Sequence, residues 1–238
     1  MAARLRQEFI QKGLFVTDSI LIQQPTGPAQ QLMVLHHGVG GSAQHMVGVG
    51  QHLAAQFPNA YIVSVQAPHA SDLGTGAQWF SVQGISEDNR PARIAQAMPA
   101  FLKDLRHWQA LSQVGPEATL LLGFSQGAIM SLEAVQAEPQ VAARVVSLSG
   151  RYGTLPALAP ERTTLHMIHG KSDAVIHYGY CVTAAEHLII LGGDVTADVI
   201  PFLGHEVNDE VLTLLTERLM SHLPKHQWAE VMKAAPQS

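Results

Sequence analysis

The stretch Thr119-Leu120-Leu121-Leu122-Gly123-Phe124-Ser125-Gln126-Gly127-Ala128 decides how this chain folds. Its first half is a continuous apolar run, which suits a strand buried on both faces. Its second half fits the pattern G-x-S-x-G, and Ala128-Ile129-Met130-Ser131-Leu132 then continues with helix character. A serine between glycines at a strand-to-helix junction has a physical use. The sharp turn lifts the hydroxyl off the sheet, and the glycines let the backbone pack closely around it. The helix N-terminus adds free N–H groups and positive potential where an oxyanion would form. Chance gives roughly 0.1 such pentapeptides in a chain of this composition. The bland alternative is a Gly-flanked turn serine in a Rossmann-type sheet.

Outward from this motif, short apolar runs alternate with segments of helical period. Strands are expected over Phe15 to Gln23, Leu32 to His36, Ala60 to Gln66, Ala118 to Leu122, Val145 to Leu148, Thr163 to Ile168 and Val195 to Pro201. Helices are expected over Ala43 to Phe57, Asn89 to about Ser112, Ala128 to about Glu138, His177 to Leu191 and Asn208 to His222. Asn89 is placed to cap its helix, with Pro91 tolerated in the first turn. Such alternation means crossover connections, hence an α/β fold with a mostly parallel central sheet and helices on both faces. Residues 67–89 show no period and contain Pro68, Gly74, Gly76 and Gly84. A loop that long in a compact domain is often functional. No repeat or linker divides the chain, so we expect one domain over residues 1–238, with 67–89 beside the site and 223–238 as a C-terminal tail.

Composition narrows the function classes. Of 238 residues, 47% are hydrophobic and only 14% charged, against about 25% charged in ordinary domains. A disordered chain would invert those proportions. With 14 Lys and Arg and a net charge of −5, no basic surface for nucleic acid is expected. The single cysteine, Cys181, excludes an internal disulfide and a thiolate metal cluster. It reads as a small buried apolar residue rather than a nucleophile. No apolar run approaches the roughly 18 residues that span a bilayer, and no signal peptide is evident near Met1. These features point to a cytoplasmic setting.

A serine nucleophile needs a base, and the base needs an orienting carboxylate. In sheets that use this turn, the chain order is Ser, acid, His, each after a successive strand. The loop after the strand at Thr163 supplies Gly170-Lys171-Ser172-Asp173, and the loop after the last strand supplies Leu203-Gly204-His205-Glu206. Both lie just beyond strand C-termini, where open α/β sheets place their ligand chemistry. Among 13 histidines, only His205 has both the order and the loop position. His36 and His37 precede the serine, His166 and His169 lie in or at the end of a strand, and His177, His187 and His222 fall in helical segments. For most of these, a solvated or core-satisfied histidine is the simpler reading. Asp194 and Asp198 are weaker acid candidates, one in a turn before the last strand and one within it.

A second oxyanion donor should come from the loop after an early strand, and His37-Gly38-Val39-Gly40-Gly41 can double back to offer one. The expected pair is the N–H groups of Val39 and Gln126. The alternative, a phosphate-binding Gly loop, lacks the third glycine of a dinucleotide fingerprint and the lysine of a P-loop. No H-E-x-x-H or cysteine pair exists, and His166 and His169 point to opposite faces of a strand, so neither a metal nor a cofactor is expected. Trp79 and Phe80, in the unperiodic loop, are candidates to line a substrate-binding acyl pocket beside the serine. They fit a small core under that loop equally well.

Leu35-His36-His37-Gly38-Val39-Gly40, Gly123 to Ala128, Gly170-Lys171-Ser172-Asp173 and Gly204-His205-Glu206 together resemble the phospholipase/carboxylesterase family of α/β-hydrolases. The resemblance runs in order over about residues 15–222, and the stretch from Gln78 to Arg90 resembles a bacterial esterase branch of that family. It departs from the family pattern at Gly41, Ala128 and Ser81, where Asp, Gly and Asp are usual. The resemblance implies an α/β-hydrolase fold and a triad of Ser125, Asp173 and His205. It also implies a hydrolase that acts on small-molecule esters or thioesters. A serine carboxylesterase is therefore expected, with an acyl-thioesterase or lysophospholipase as the nearest alternative. A non-catalytic hydrolase-fold binding protein is the alternative of another class, and it would not need all three residues.

Overall fold

The structure, a computed structural model, describes residues 18–234. Its strands are β1 (Ile20–Gln23), β2 (Gln31–His36), β3 (Ala60–Val65), the two-residue pair β4 (His69–Ala70) and β5 (Ala77–Gln78), β6 (Thr119–Phe124), β7 (Arg144–Leu148), β8 (Thr164–Gly170) and β9 (Asp194–Ile200). Its α-helices are α1 (Val47–Gln56), α2 (Arg90–Ser112), α3 (Gln126–Ala137), α4 (Gly179–Ile190), α5 (Asp209–Ser221) and α6 (Lys225–Ala234). Seven strands form the main sheet in the order β1-β3-β2-β6-β7-β8-β9. Only β1 runs antiparallel to its neighbour; every other pairing is parallel. This is the expected α/β-hydrolase arrangement, with β6 at the centre and the serine turn at its C-terminal end.

Alternation along the strands divides the core in two. Val34, Val63, Leu121, Val145 and Leu165 face α2, α3 and α4 through Met98, Phe101, Ile129, Leu132, Ala184 and Leu188. Leu35, Ile62, Leu122, Val146 and Ile168 face α1 and α5 through Leu53, Val211 and Leu215. Both faces of each central strand are therefore buried, which is why those strands read as unbroken apolar runs. The edge strand β9 is different. It alternates Asp194, Thr196 and Asp198 with apolar residues and remains only partly buried.

Four local expectations differ from what forms. The first strand begins at Ile20, and Phe15 to Thr17 lie outside the described residues. The helix expected over Ala43 to Phe57 opens as a 3-10 turn, Ala43–Met46, before α1. Asn89 does not cap α2. Its carboxamide turns back, accepting from Ser86 N (2.9 Å) and donating to Gly84 O (3.0 Å), so it closes the preceding loop. The segment read as a C-terminal tail forms α6 within residues 225–234. Asn208, by contrast, caps α5 with a side-chain oxygen 3.0 Å from Val211 N.

The fold also buries four histidines, His36, His37, His166 and His169, and two of them are held far below the ordinary histidine range. His36 on β2 and His166 on β8 are almost fully enclosed, and burial pushes each down to about 3. An unfolded histidine titrates near 6.5. Between those values the unfolded chain binds protons that the folded chain refuses, so this stability is complete above pH 6.5 and is lost as pH falls. Urea unfolding at pH 7.5 and pH 5.0 should therefore differ by roughly 2–4 kcal/mol, the acid sample being weaker; equal stabilities would contradict the buried neutral forms. In the same assay at pH 7.5, Asn208→Ala should cost about 1 kcal/mol through its lost cap.

Candidate active site

Ser125 occupies the single residue between β6 and α3, with φ 54° and ψ −116°. Positive φ in a serine costs about 1–3 kcal/mol and persists only where its surroundings enforce it. Here they do so by contact. A Cβ on Gly123 would stand 2.3 Å from Ala128 N, and one on Gly127 would stand 2.2 Å from the His36 carbonyl oxygen. Both glycines are thus required by close approach, as the motif implied. Ser125 N donates to Leu148 O (2.9 Å), which binds the turn to the end of β7.

The His37–Gly41 loop lies directly against this turn. A Cβ on Gly38 would be 3.1 Å from Ser125 Cβ. The loop is closed by Gly41 N donating to Gly38 O (3.1 Å) and laced to β5 by Gly40 N to Ala77 O (2.9 Å) and Ala77 N to Gly41 O (2.7 Å). Among the described residues, neither Val39 N nor Gln126 N donates to a protein acceptor. His37 braces the loop from below. Its Nε2 accepts from Ala67 N (3.1 Å), so Nδ1 carries the proton and donates to Gly38 O at 2.7 Å. Burial lowers the pKa of His37, in keeping with a neutral ring.

Trp79 and Phe80 are each only 4% exposed and belong to the core that covers β2 and α2. Trp79 packs edge-on against Phe101 (5.3 Å between centroids) and His36 (5.3 Å). Its Nε1 donates to His37 O (2.8 Å). The Gln126 side chain spans both residues, accepting from Trp79 N (2.8 Å) and donating to Phe80 O (2.8 Å). These contacts are those of a core beneath the loop, and they tie residues 79–80 to both oxyanion-side segments.

On the other flank, Asp173 and His205 meet. His205 Nδ1 lies 2.7 Å from Asp173 Oδ2, while Asp173 Oδ1 accepts from Val175 N (2.8 Å) and Ile176 N (2.9 Å). Burial works to raise the Asp173 pKa, but the hydrogen bonds from His205, Ile176 and Val175 outweigh it and the net shift is downward. An ionised carboxylate only accepts, so His205 Nδ1 donates to it, and in the neutral form of the ring Nε2 is the nitrogen with the lone pair. The two loops are joined by Lys171 N to Ile200 O (2.8 Å) and Ser172 N to Leu203 O (2.9 Å). The His205 ring packs on Phe124, next to the serine, at 4.8 Å between centroids. No hydrogen bond between Ser125 Oγ and His205 is formed among the described residues. The rival acids are engaged elsewhere: Asp194 with Thr164, His222 and Lys225 N, and Asp198 with Arg218.

The contact of His169 with the acid and the residue Arg151 both escaped the sequence reading. His169 is indeed a core-satisfied histidine, but its Nε2 donates to Ile176 O (2.8 Å) and stands 3.2 Å from Asp173 Oδ2. It therefore props the acid. The available signal was its place four residues before Asp173. Arg151, in the unassigned Gly150-Arg151-Tyr152-Gly153 turn after β7, is the other. A lone arginine at the C-terminal edge of an apolar strand was its signal. Among the described residues, no group of three or more His, Cys, Asp or Glu side chains is placed to hold a metal ion. No helix there is long and apolar enough to cross a membrane.

Comparison with known proteins agrees with this geometry. Residues 17–223 match the model of the family described as Phospholipase/Carboxylesterase. Esterase YpfH of Escherichia coli (strain K12) is 46% identical over 215 residues, covering 90% of this chain and 93% of the relative. An acyl-protein thioesterase 1 homolog of Dictyostelium discoideum is 23% identical over 86% of this chain and 96% of its own. Among solved structures, esterase PE8 superposes with a TM-score of 0.76 at 29% identity, covering 84% of this chain and 97% of its own. The Bacillus cereus carboxylesterase shares the fold at a TM-score of 0.74 and 13% identity, over 88% and 96% of the two chains. A strained serine between strand and helix, a carboxylate–imidazole pair across the sheet edge and a family match over most of the chain converge: the protein belongs to the phospholipase/carboxylesterase family of α/β-hydrolases.

Proposed function

We propose that this hydrolase cleaves small-molecule carboxylic esters by a Ser-His-Asp mechanism. Ser125 Oγ attacks the acyl carbonyl as His205 Nε2 takes its proton. The tetrahedral oxyanion is held by Val39 N–H and Gln126 N–H, donors that need no rearrangement because no protein group occupies them. His205 then protonates the departing alcohol, which leaves an acyl-Ser125 ester. A water deprotonated by His205 attacks that ester and releases the acid and free serine. Asp173 holds the imidazole with Nε2 toward the serine and stabilises the imidazolium of each step. Residues 39 to 205 supply every part from one sheet edge, which is our reason for reading the chain as one domain.

The observation that carries this reading is the 2.7 Å Asp173–His205 hydrogen bond with its tautomer fixed by an ionised carboxylate. It orients the ring as a general base requires. The name of the 46% identical YpfH relative supports an ester as substrate. A thioester is the second reading, favoured by the name of the Dictyostelium relative. A cytoplasmic setting belongs to the same reading, since the buried thiol of Cys181 forms no disulfide on which folding would depend.

A fluorophosphonate probe should label the wild type and fail on Ser125→Ala, with kcat for p-nitrophenyl butyrate falling by about 10⁴–10⁶. Asp173→Asn should lower kcat by about 10³–10⁴, because the amide presents the wrong tautomer to His205. Unchanged labelling of Ser125→Ala would refute the nucleophile. Comparing kcat/KM for short esters with that for palmitoyl thioesters separates the two substrate readings.

A further inference from the structure

Beside the proposed triad lies a cluster that the mechanism does not use. Arg151 is 7% exposed, yet its guanidinium faces a cleft of about 620 Å³ at the C-terminal edge of the sheet. The cleft runs between the turn after β7, residues 151–155, and the segment 177–183 that follows the Asp173 loop. Arg151 is three residues beyond Leu148, whose carbonyl accepts Ser125 N–H, and His177 follows Ile176, whose N–H binds Asp173. The guanidinium carbon lies 3.6 Å from the Tyr180 ring centroid, and Nε donates to Tyr152 O (3.1 Å). Leu155, His177 and Thr183 complete the wall, and none of the lining residues is acidic.

The charge of Arg151 is met from outside. Glu87 of the 67–89 loop makes a bidentate pair with it, Oε1 to NH1 at 3.0 Å and Oε2 to NH2 at 2.5 Å. The Arg151 side chain is 9% exposed and that of Glu87 is 58% exposed. A buried guanidinium without a partner is strongly unfavourable. The carboxylate that satisfies it, however, stands mostly in water, so the pair is open to exchange from the solvent side. Another carboxylate in the same fork geometry would satisfy Arg151 equally well, and a displaced Glu87 would keep its second partner, the Arg90 guanidinium at 3.1 Å.

We infer that the Arg151 cleft is a subsite for a carboxylate carried by the ester substrate, and that Glu87 occupies the seat when the site is empty. The inference rests on the serine-esterase reading above and names its substrate class: esters with an anionic carboxylate remote from the scissile bond. The carboxylate can belong to the acyl part or to the leaving group, and the fork geometry is the same for both.

The test compares kcat/KM within two pairs: mono-p-nitrophenyl glutarate with p-nitrophenyl valerate for the acyl side, and 3-acetoxybenzoate with phenyl acetate for the leaving side. In at least one pair, Arg151→Met should lower the anionic-to-neutral ratio by fivefold or more, and Glu87→Gln should raise it. Free glutarate should raise the Tm of the wild type and of Glu87→Gln but not that of Arg151→Met. Ratios that move less than fivefold in both pairs with Arg151→Met, or that fall with Glu87→Gln, overturn the inference. If the wild type hydrolyses none of the four esters, the esterase reading fails instead, and the glutarate shift alone decides the subsite.

Discussion

The approach of Gly127 to the carbonyl of His36 is the contact on which the rest of the site depends. With a Cβ there, the two groups would be 2.2 Å apart, so α3 could not seat against the end of β2. Seating α3 there does two things at once. It holds Ser125 at a positive φ that the isolated chain would avoid, and it puts the Gln126 amide at the first position of α3, immediately after the serine. The strain at one residue is offset by a central sheet whose strands are buried on both faces. A strained nucleophile on a mobile loop would relax; at the end of β6, between β2 and β7, it has no room to do so.

The same seat organises the oxyanion side through side chains rather than backbone alone. Gln126 uses its amide for the proposed oxyanion and its carboxamide to hold Trp79 and Phe80. Trp79 in turn holds the His37 carbonyl, and the His37 ring holds Gly38 O and Ala67 N. A Val39 amide on an unsupported Gly-rich loop would have to be ordered by each substrate. Here that ordering is complete before substrate binds, which is the condition under which such donors lower a barrier. On the proposed mechanism, residues 77–80 of the 67–89 loop therefore belong to the frame around the oxyanion donors. The loop's farther half, 84–90, is bound instead through Asn89 and Glu87.

What could be read from sequence and what could not follow from the range of the interactions. The strand–G-x-S-x-G–helix element is legible because its constraints are local: apolar run, glycine clearance, helix start. The pairing of Asp173 with His205 is legible because topology fixes the order of their loops, so these two could be proposed as acid and base over Asp194, Asp198 and the other histidines without distances. Asn89 was misleading because a carboxamide can cap a helix or close a loop with the same atoms, and Ser86 and Gly84 competed for it. Trp79 and Phe80 were ambiguous because burial depends on Phe101 and His36 from other elements. His169 and Arg151 were passed over because their partners, Asp173 in a turn and Glu87 across 64 residues, exist only after the sheet closes.

Arg151 and the Ser125 turn illustrate opposite solutions to an unfavourable local state. At Ser125 the strain is fixed, since every neighbour that enforces it is covalent backbone or buried core, and nothing a substrate brings could relieve it. At Arg151 the difficulty is a buried charge, and its remedy is a carboxylate on a solvent-facing loop. A remedy of that kind is exchangeable. Any ligand carboxylate with planar fork geometry competes on equal electrostatic terms and leaves Glu87 paired with Arg90, so the net change stays small while selectivity for charge stays large. On the proposed reading, substrate choice resides in an exchangeable ion pair, while catalysis resides in a turn whose geometry the whole sheet maintains.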